Sequence, residues 1–221
     1  MTDAQFSINE DFYESERAVS HYLTFDRLRE SEVRILARHA AGGDLLDLGV
    51  GAGRTVLPLT AIANRYTGID YSSAMIAACR SRFPAARLFQ SDIRDMRIFS
   101  DRTFDAVCGL FNGLDDLGHD DRRTALYEIK RVLKAGGLFL FSAHNRAVLD
   151  VPDDDDGYAI VVETLLGSNL PTYYVTRGAQ TSSLIEAGFD VLEVSGIDGF
   201  PLPAGVDSRD AWLYYAARRA A

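Results

Sequence analysis

The stretch LLDLGVGAGRT, residues 45–55, decides how the rest of the chain is read. Two leucines lead to Asp47, and glycines then stand at 49, 51 and 53 before Arg54 and Thr55. An extended apolar run that ends in a glycine-rich turn reads as a buried strand feeding a helix. Glycine tolerates positive φ and lets backbone approach a ligand closely, because no Cβ stands in the way. The stretch therefore predicts a nucleotide-like ligand lying on a strand-to-helix corner.

An alternation of strands and helices follows from that corner. DLLDLGV is the first strand, RTVLPLTAIA the helix after it, and RYTGID the second strand. Ser72 or Ser73 can cap the next helix, AMIAACRSRF, which carries Met75, Ile76 and Cys79 on one face. ARLFQSD and FDAVCGLF are strands three and four. DDRRTALYEIKRVLKAGG reads as a helix with an aspartate cap that ends on Gly136-Gly137, and LFLFSAH is strand five. Such alternation argues for right-handed crossovers and a parallel sheet covered on both faces. Upstream, residues 10–40 read as two helices. Downstream, YAIVVETLL and TYYVTR read as an antiparallel hairpin joined by GSNLP, and the acidic run 150–157 as a solvated loop. The helix AQTSSLIEAG and two strands, FDVLEVSG and AWLYYAARR, close the chain with an antiparallel edge. The expected architecture is a Rossmann-like, doubly wound α/β fold. It has a mostly parallel seven-stranded sheet, N-terminal helices and a small hairpin insert. One domain spans 1–221: a helical cap at 1–40, a ligand-binding core at 44–145, an insert at 146–176 covering a second substrate, and closing elements at 177–221.

Composition bounds the partners. The 221 residues are 47% hydrophobic and 25% charged, with a formal net charge of −9. No cluster of Lys or Arg suits a polyanion, so nucleic acid is not expected as a partner. No apolar run reaches the ~18 residues of a membrane helix, and the first residues lack the basic and apolar regions of a signal peptide. A cytoplasmic location is the expectation, with the two cysteines, Cys79 and Cys108, as buried reduced thiols. Nothing in the spacing of acids, cysteines and histidines predicts a metal site, and a monomer or homodimer is expected.

Which nucleotide is bound follows from what is missing. A dinucleotide fingerprint counted from Gly49 or Gly51 needs glycine at 54 or 56, where Arg54 and Val56 stand. No lysine-serine pair follows the loop, so a triphosphate P-loop is absent too. Instead, acids close three successive strands: Asp47, Asp70 and Asp92. An ionised carboxylate only accepts hydrogen bonds, which suits ribose hydroxyls at Asp70 and an exocyclic amine at Asp92. Ile93 and Tyr71 offer apolar or stacking surface. A phosphate-free ligand carrying ribose, adenine and a positive charge matches S-adenosylmethionine.

With these residues in view, LLDLGVGAGR, GIDYS, SDIRDM, FDAVCGLFNGLDDL and RVLKAGGLFLFS resemble the motif series of the class I S-adenosylmethionine-dependent methyltransferases, small-molecule type. The resemblance covers roughly residues 10–219; the one departure is LKAGG, where a Leu-Lys-Pro-Gly-Gly sequence is common. It implies that the backbone at Gly49, Gly51 and Gly53 passes under the amino-acid tail, with Asp47 close by. Asp70 then holds the ribose, Tyr71 lies beside the adenine, Asp92 and Ile93 frame its amino edge, and Leu110 meets the methionine amine. Tyr13, Tyr22 and Arg54 are candidates for the tail carboxylate.

Methyl transfer from a sulfonium is an in-line displacement, so holding nucleophile, methyl and sulfur on one line is the protein's main task. The acceptor region expected at the ends of strands four and five contains Asn112, Asp115, His119, His144 and Asn145, covered by Tyr173 and Tyr174. A hydroxyl acceptor needs a base near neutrality, for which His144 is the first candidate. An amine acceptor needs only a neutral lone pair, oriented by Asp115. The expected function is methyl transfer to O or N of a small molecule, leaving S-adenosylhomocysteine. Two other readings stay open: a catalytically silent S-adenosylmethionine-binding subunit of a partner methyltransferase, and aminopropyl transfer onto an acidic groove.

Overall fold

The computed structural model describes residues 7–39, 42–150 and 157–220. The acidic run at 150–157 lies almost wholly outside the described residues. Where two helices are expected at the N-terminus there are three, α1 (Ser7–Tyr13), α2 (Glu16–Tyr22) and α3 (Glu30–His39). Ser15 breaks the first segment by capping α2, its side chain accepting from the Ala18 amide.

The alternating core then runs β1 (Asp44–Leu48), α4 (Val56–Ile62), β2 (Arg65–Asp70), α5 (Ser73–Arg82), β3 (Arg87–Gln90), β4 (Phe104–Gly109), α6 (His119–Val132) and β5 (Leu133–Asn145). The hairpin β6 (Tyr158–Leu165) and β7 (Ser168–Val175) follows, then α7 (Arg177–Glu186), β8 (Phe189–Ser195) and β9 (Trp212–Arg219). Strands β3, β2, β1, β4 and β5 lie side by side in parallel. β9 runs antiparallel to β5 along Leu138–His144 and carries β8 on its far side. Adjacent side chains of each strand alternate between two cores. Leu46, Leu48, Ile69, Val107 and Phe139 pack on one face, while Leu45, Tyr66, Ala106, Cys108 and Leu140 pack on the other. Cys79 and Cys108 are both buried and free, and burial pushes each thiol pKa up.

Four expectations need correction. The hairpin extends the sheet: β7 pairs with β5 at His144 and Asn145, so nine strands of the described residues form one sheet where seven are expected. Its turn is Leu166-Gly167, with φ of 49° and 77°, and the SNLP segment already lies inside β7. Helix α6 has Gly118 as its N-cap with no side-chain bond, so the aspartates at 120 and 121 sit in the first turn, where they complement the helix dipole. It ends at Val132, because Leu133 already pairs with Phe104 of β4 and draws LKAGG into the strand.

Candidate active site

The cavity that matters lies over the carboxyl ends of β1, β2 and β4, where ligands of open α/β sheets are bound. Its empty space is about 1190 Å³, open solvent at the mouth included. Gly49, Gly51, Arg54, Asp70, Tyr71, Asp92, Ile93, Leu110, Tyr13 and Tyr22 all line it.

The glycine corner explains its own composition. Gly49 and Gly51 have φ of 64° and 53°, and a Cβ at Gly49 would meet no protein atom within 4 Å. That side of the turn faces open space on the cavity wall. Gly53 serves differently: a Cβ there would lie 2.5 Å from the Phe83 ring, so it lets α5 pack closely and does not line the cavity. Asp70 is bonded into the same corner, its Oδ2 accepting from the Gly51 amide at 2.8 Å and its Oδ1 from the Ser72 amide at 2.9 Å. Burial pushes its pKa up to about 6 against those two donors.

Asp47 departs from expectation. Its carboxylate turns into the protein, accepting from the Thr55 hydroxyl at 2.5 Å and the Tyr66 hydroxyl at 2.7 Å, and burial raises its pKa to about 6. It braces the corner from behind. Arg54 keeps its place in the wall, but its guanidinium is clamped by both oxygens of fully buried Glu32, at 2.6 and 2.9 Å, and lies 4.5 Å from the Phe111 ring centroid. Asp92 is likewise engaged: Arg94 donates to both its oxygens and reaches on to Asp121 and Glu10. Both cations of the wall are therefore already neutralised.

The acceptor candidates separate. Asp115 is buried, with Oδ1 held by Arg122 at 2.6 Å and Oδ2 accepting from both the His144 backbone amide at 2.6 Å and ring Nδ1 at 2.9 Å. His144 stands behind Asn112, whose amide lies 3.4 Å from Nε2, and is absent from the cavity wall. The base expected at His144 is thus bound into a support for the turn after β4. That turn is strained, with Phe111 and Asn112 at φ of 71° and 62°. Asn145 donates to the carbonyls of Ser208 and Asp210 and so ties down the closing loop. His119 bonds Tyr173 at 2.8 Å, and both line a second cavity between α6 and α7. Tyr174 points to the opposite sheet face, against His144.

Sequence reasoning passed over Asp116. The neighbour of Asp115, it lines the cavity together with Tyr13 and Tyr22. Burial raises its pKa to about 7. The adjacent acids Asp115 and Asp116 differ only in which way the short 3-10 turn Gly113–Asp116 aims them. That direction leaves no mark in composition.

A Rossmann-like sheet with this glycine corner, an acid at the end of β2 and, among the described residues of the wall, no free cation for phosphate agrees with the resemblance to the class I S-adenosylmethionine-dependent methyltransferases. Residues 45–137 match the family described as Methyltransferase domain, and the chain is similar to proteins named as S-adenosylmethionine-dependent methyltransferases. It is 35% identical over 129 residues to a phosphatidylethanolamine N-methyltransferase of Cereibacter sphaeroides, covering 55% of this chain and 61% of that one. It is 31% identical over 183 residues to the O-methyltransferase cnsE of Penicillium expansum, covering 78% and 60%. In structure it is similar to the glycopeptide N-methyltransferase MtfA complexed with S-adenosylhomocysteine, with a TM-score of 0.68, 21% identity and coverage of 86% and 89%. The chain spans about three fifths of the length of the curated relatives it matches. No helix of the described residues is long and apolar enough to cross a membrane.

Proposed function

We propose that this protein transfers a methyl group from S-adenosylmethionine to a nitrogen or oxygen of a small molecule. One observation carries the reading: Gly49 opens onto the cavity with no protein atom in reach of a Cβ, beside an Asp70 whose carboxylate faces the same space. The residues present fit the cofactor without phosphate contacts, since Arg54 and Arg94 are occupied by acids.

S-adenosylmethionine supplies an electrophilic methyl on a sulfonium. The chain's residues bind and orient. Gly49 and Gly51 let backbone amides come close to the tail, Asp70 accepts from ribose hydroxyls, and Ile93 with Tyr71 flank the adenine. Tyr13 and Tyr22 donate toward the tail or the acceptor, while Arg54 supports the wall through Glu32. Helices α1 and α2 roof the cavity and exclude water: Tyr71 donates to the Asn9 carbonyl, Ser72 donates to the Tyr13 carbonyl, and Glu14 accepts from the Ser73 amide. Relatives named for N- and O-methyl transfer support either acceptor atom.

Calorimetry tests the reading. S-adenosylmethionine and S-adenosylhomocysteine are expected to bind with micromolar or tighter affinity and NADH to give no heat. NADH binding in place of both would overturn it.

A further inference from the structure

Resting on that reading, we propose that Asp116 and Asn9 form the subsite for an amine, so that the acceptor is an amine and not an alcohol or a carboxylate. Asp116 on the wall, Asn9 packed beside it, the engaged arginines and the neighbouring tyrosines carry this. Asp116 and Tyr13 line the cavity together, with the Asn9 amide 3.5 Å from the Asp116 Oδ1. Asn9 is 2% exposed. Its Nδ2 is spent on the carbonyls of Pro171 and Asp116, and its Oδ1 has no hydrogen-bond partner among the described residues. A carboxylate and a buried carbonyl oxygen thus stand side by side short of donors, and a buried acceptor left unpaired is costly. An amine brings two or three N–H donors and, when protonated, the missing charge; it passes that proton to the Asp116 carboxylate, and the freed lone pair then takes the methyl as the C–S bond breaks and S-adenosylhomocysteine leaves. A carboxylate ligand brings neither donors nor positive charge.

The wall arginines cannot supply the charge, because Arg54 is held by Glu32 and Arg94 by Asp92, Glu10 and Asp121. Beside Asp116, the rings of Tyr13 and Tyr22 lie 5.7 Å apart and those of Tyr13 and Tyr71 6.2 Å apart.

The charges facing Asp116 set the pH range of the subsite. Asp115 on the same turn and Asp70 of β2 raise its pKa; Tyr13 of α1 and His144 of β5 oppose them. With the pKa at about 7, an ammonium is expected to bind well at pH 8 and poorly at pH 6.

The test uses the full chain saturated with S-adenosylhomocysteine and a matched probe pair, n-butylamine and n-butanol, followed by saturation-transfer NMR. Heat of S-adenosylhomocysteine binding is measured first and judges the parent reading separately. Butylamine is expected to bind at pH 8 and butanol not, and Asp116→Asn is expected to weaken butylamine at least about tenfold while keeping S-adenosylhomocysteine affinity. Tyr13→Phe is expected to weaken it less. Equal saturation of the two probes, or butylamine binding unchanged in Asp116→Asn, overturns the subsite.

Discussion

At the scale of single residues, the three glycines of one turn carry two different burdens. Gly49 leaves room for a ligand, whereas Gly53 leaves room for Phe83. Gly53→Ala combines a φ of 98° with a 2.5 Å approach to that ring, and is expected to cost about 3 kcal/mol or more. Gly49→Ala meets only the left-handed strain, about 1–2 kcal/mol. Thermal unfolding should therefore drop by about 8 °C or more for Gly53→Ala and about half that for Gly49→Ala. Calorimetry should show the reverse order for S-adenosylhomocysteine, with Gly49→Ala weakened tenfold or more and Gly53→Ala nearly unchanged. Identical affinity losses would mean that both glycines act alike. The places of Asp70 and Tyr71 on the cavity wall were legible from sequence because strand ends fix where such side chains emerge. The turn of Asp47 away from the cavity was not, since it pairs with Gly68, two register steps below Asp70 on the same sheet face, where Thr55 and Tyr66 capture it.

Among the elements, the hairpin shows how a local rule and a local exception combine. Two residues at positive φ join β6 to β7, a geometry that matches the strands' own twist but favours Asn-Gly over Leu-Gly. Leu166→Asn is expected to stabilise by about 0.5–1 kcal/mol and to raise the melting temperature by about 2–3 °C, read by differential scanning fluorimetry. The alternating core was legible in detail: RYTGID and the Ser72 cap fall where periodicity and cap chemistry put them. The hairpin turn was misplaced because Pro171 reads as a loop residue, yet it sits opposite Val162 in β7. Likewise the boundary of α6 and β5 was blurred. The Gly136-Gly137 pair suggests a helix stop, while tertiary pairing of Leu133 with Phe104 ends the helix four residues earlier.

For the whole molecule, buried acids set the response to pH. Asp47 and Asp70 are raised to about 6 and Asp116 to about 7, all above the ~3.9 of an unfolded aspartate. Between about pH 4 and 7 the unfolded chain binds fewer protons at these sites than the folded one, so stability falls as pH rises through that window. Glu193, lowered to about 2 by its bonds to Arg38, Ser195 and His39, works oppositely: its contribution is present above about pH 4.3 and is lost as pH falls toward 2. The ligand-free protein is expected to melt at higher temperature at pH 5 than at pH 7.5; a melting point that climbs steadily between those values would contradict the assignment. The meeting of Tyr174 and Trp212 on opposite edges of His144 has a consequence for engineering. A hairpin borrowed from another methyltransferase must reproduce that three-strand junction to seat at all. Chimeras cut just after Asn145 and just before Arg177 keep both ladders in step, while cuts placed further inside β7 would shift its register and turn every side chain it presents to the wrong side.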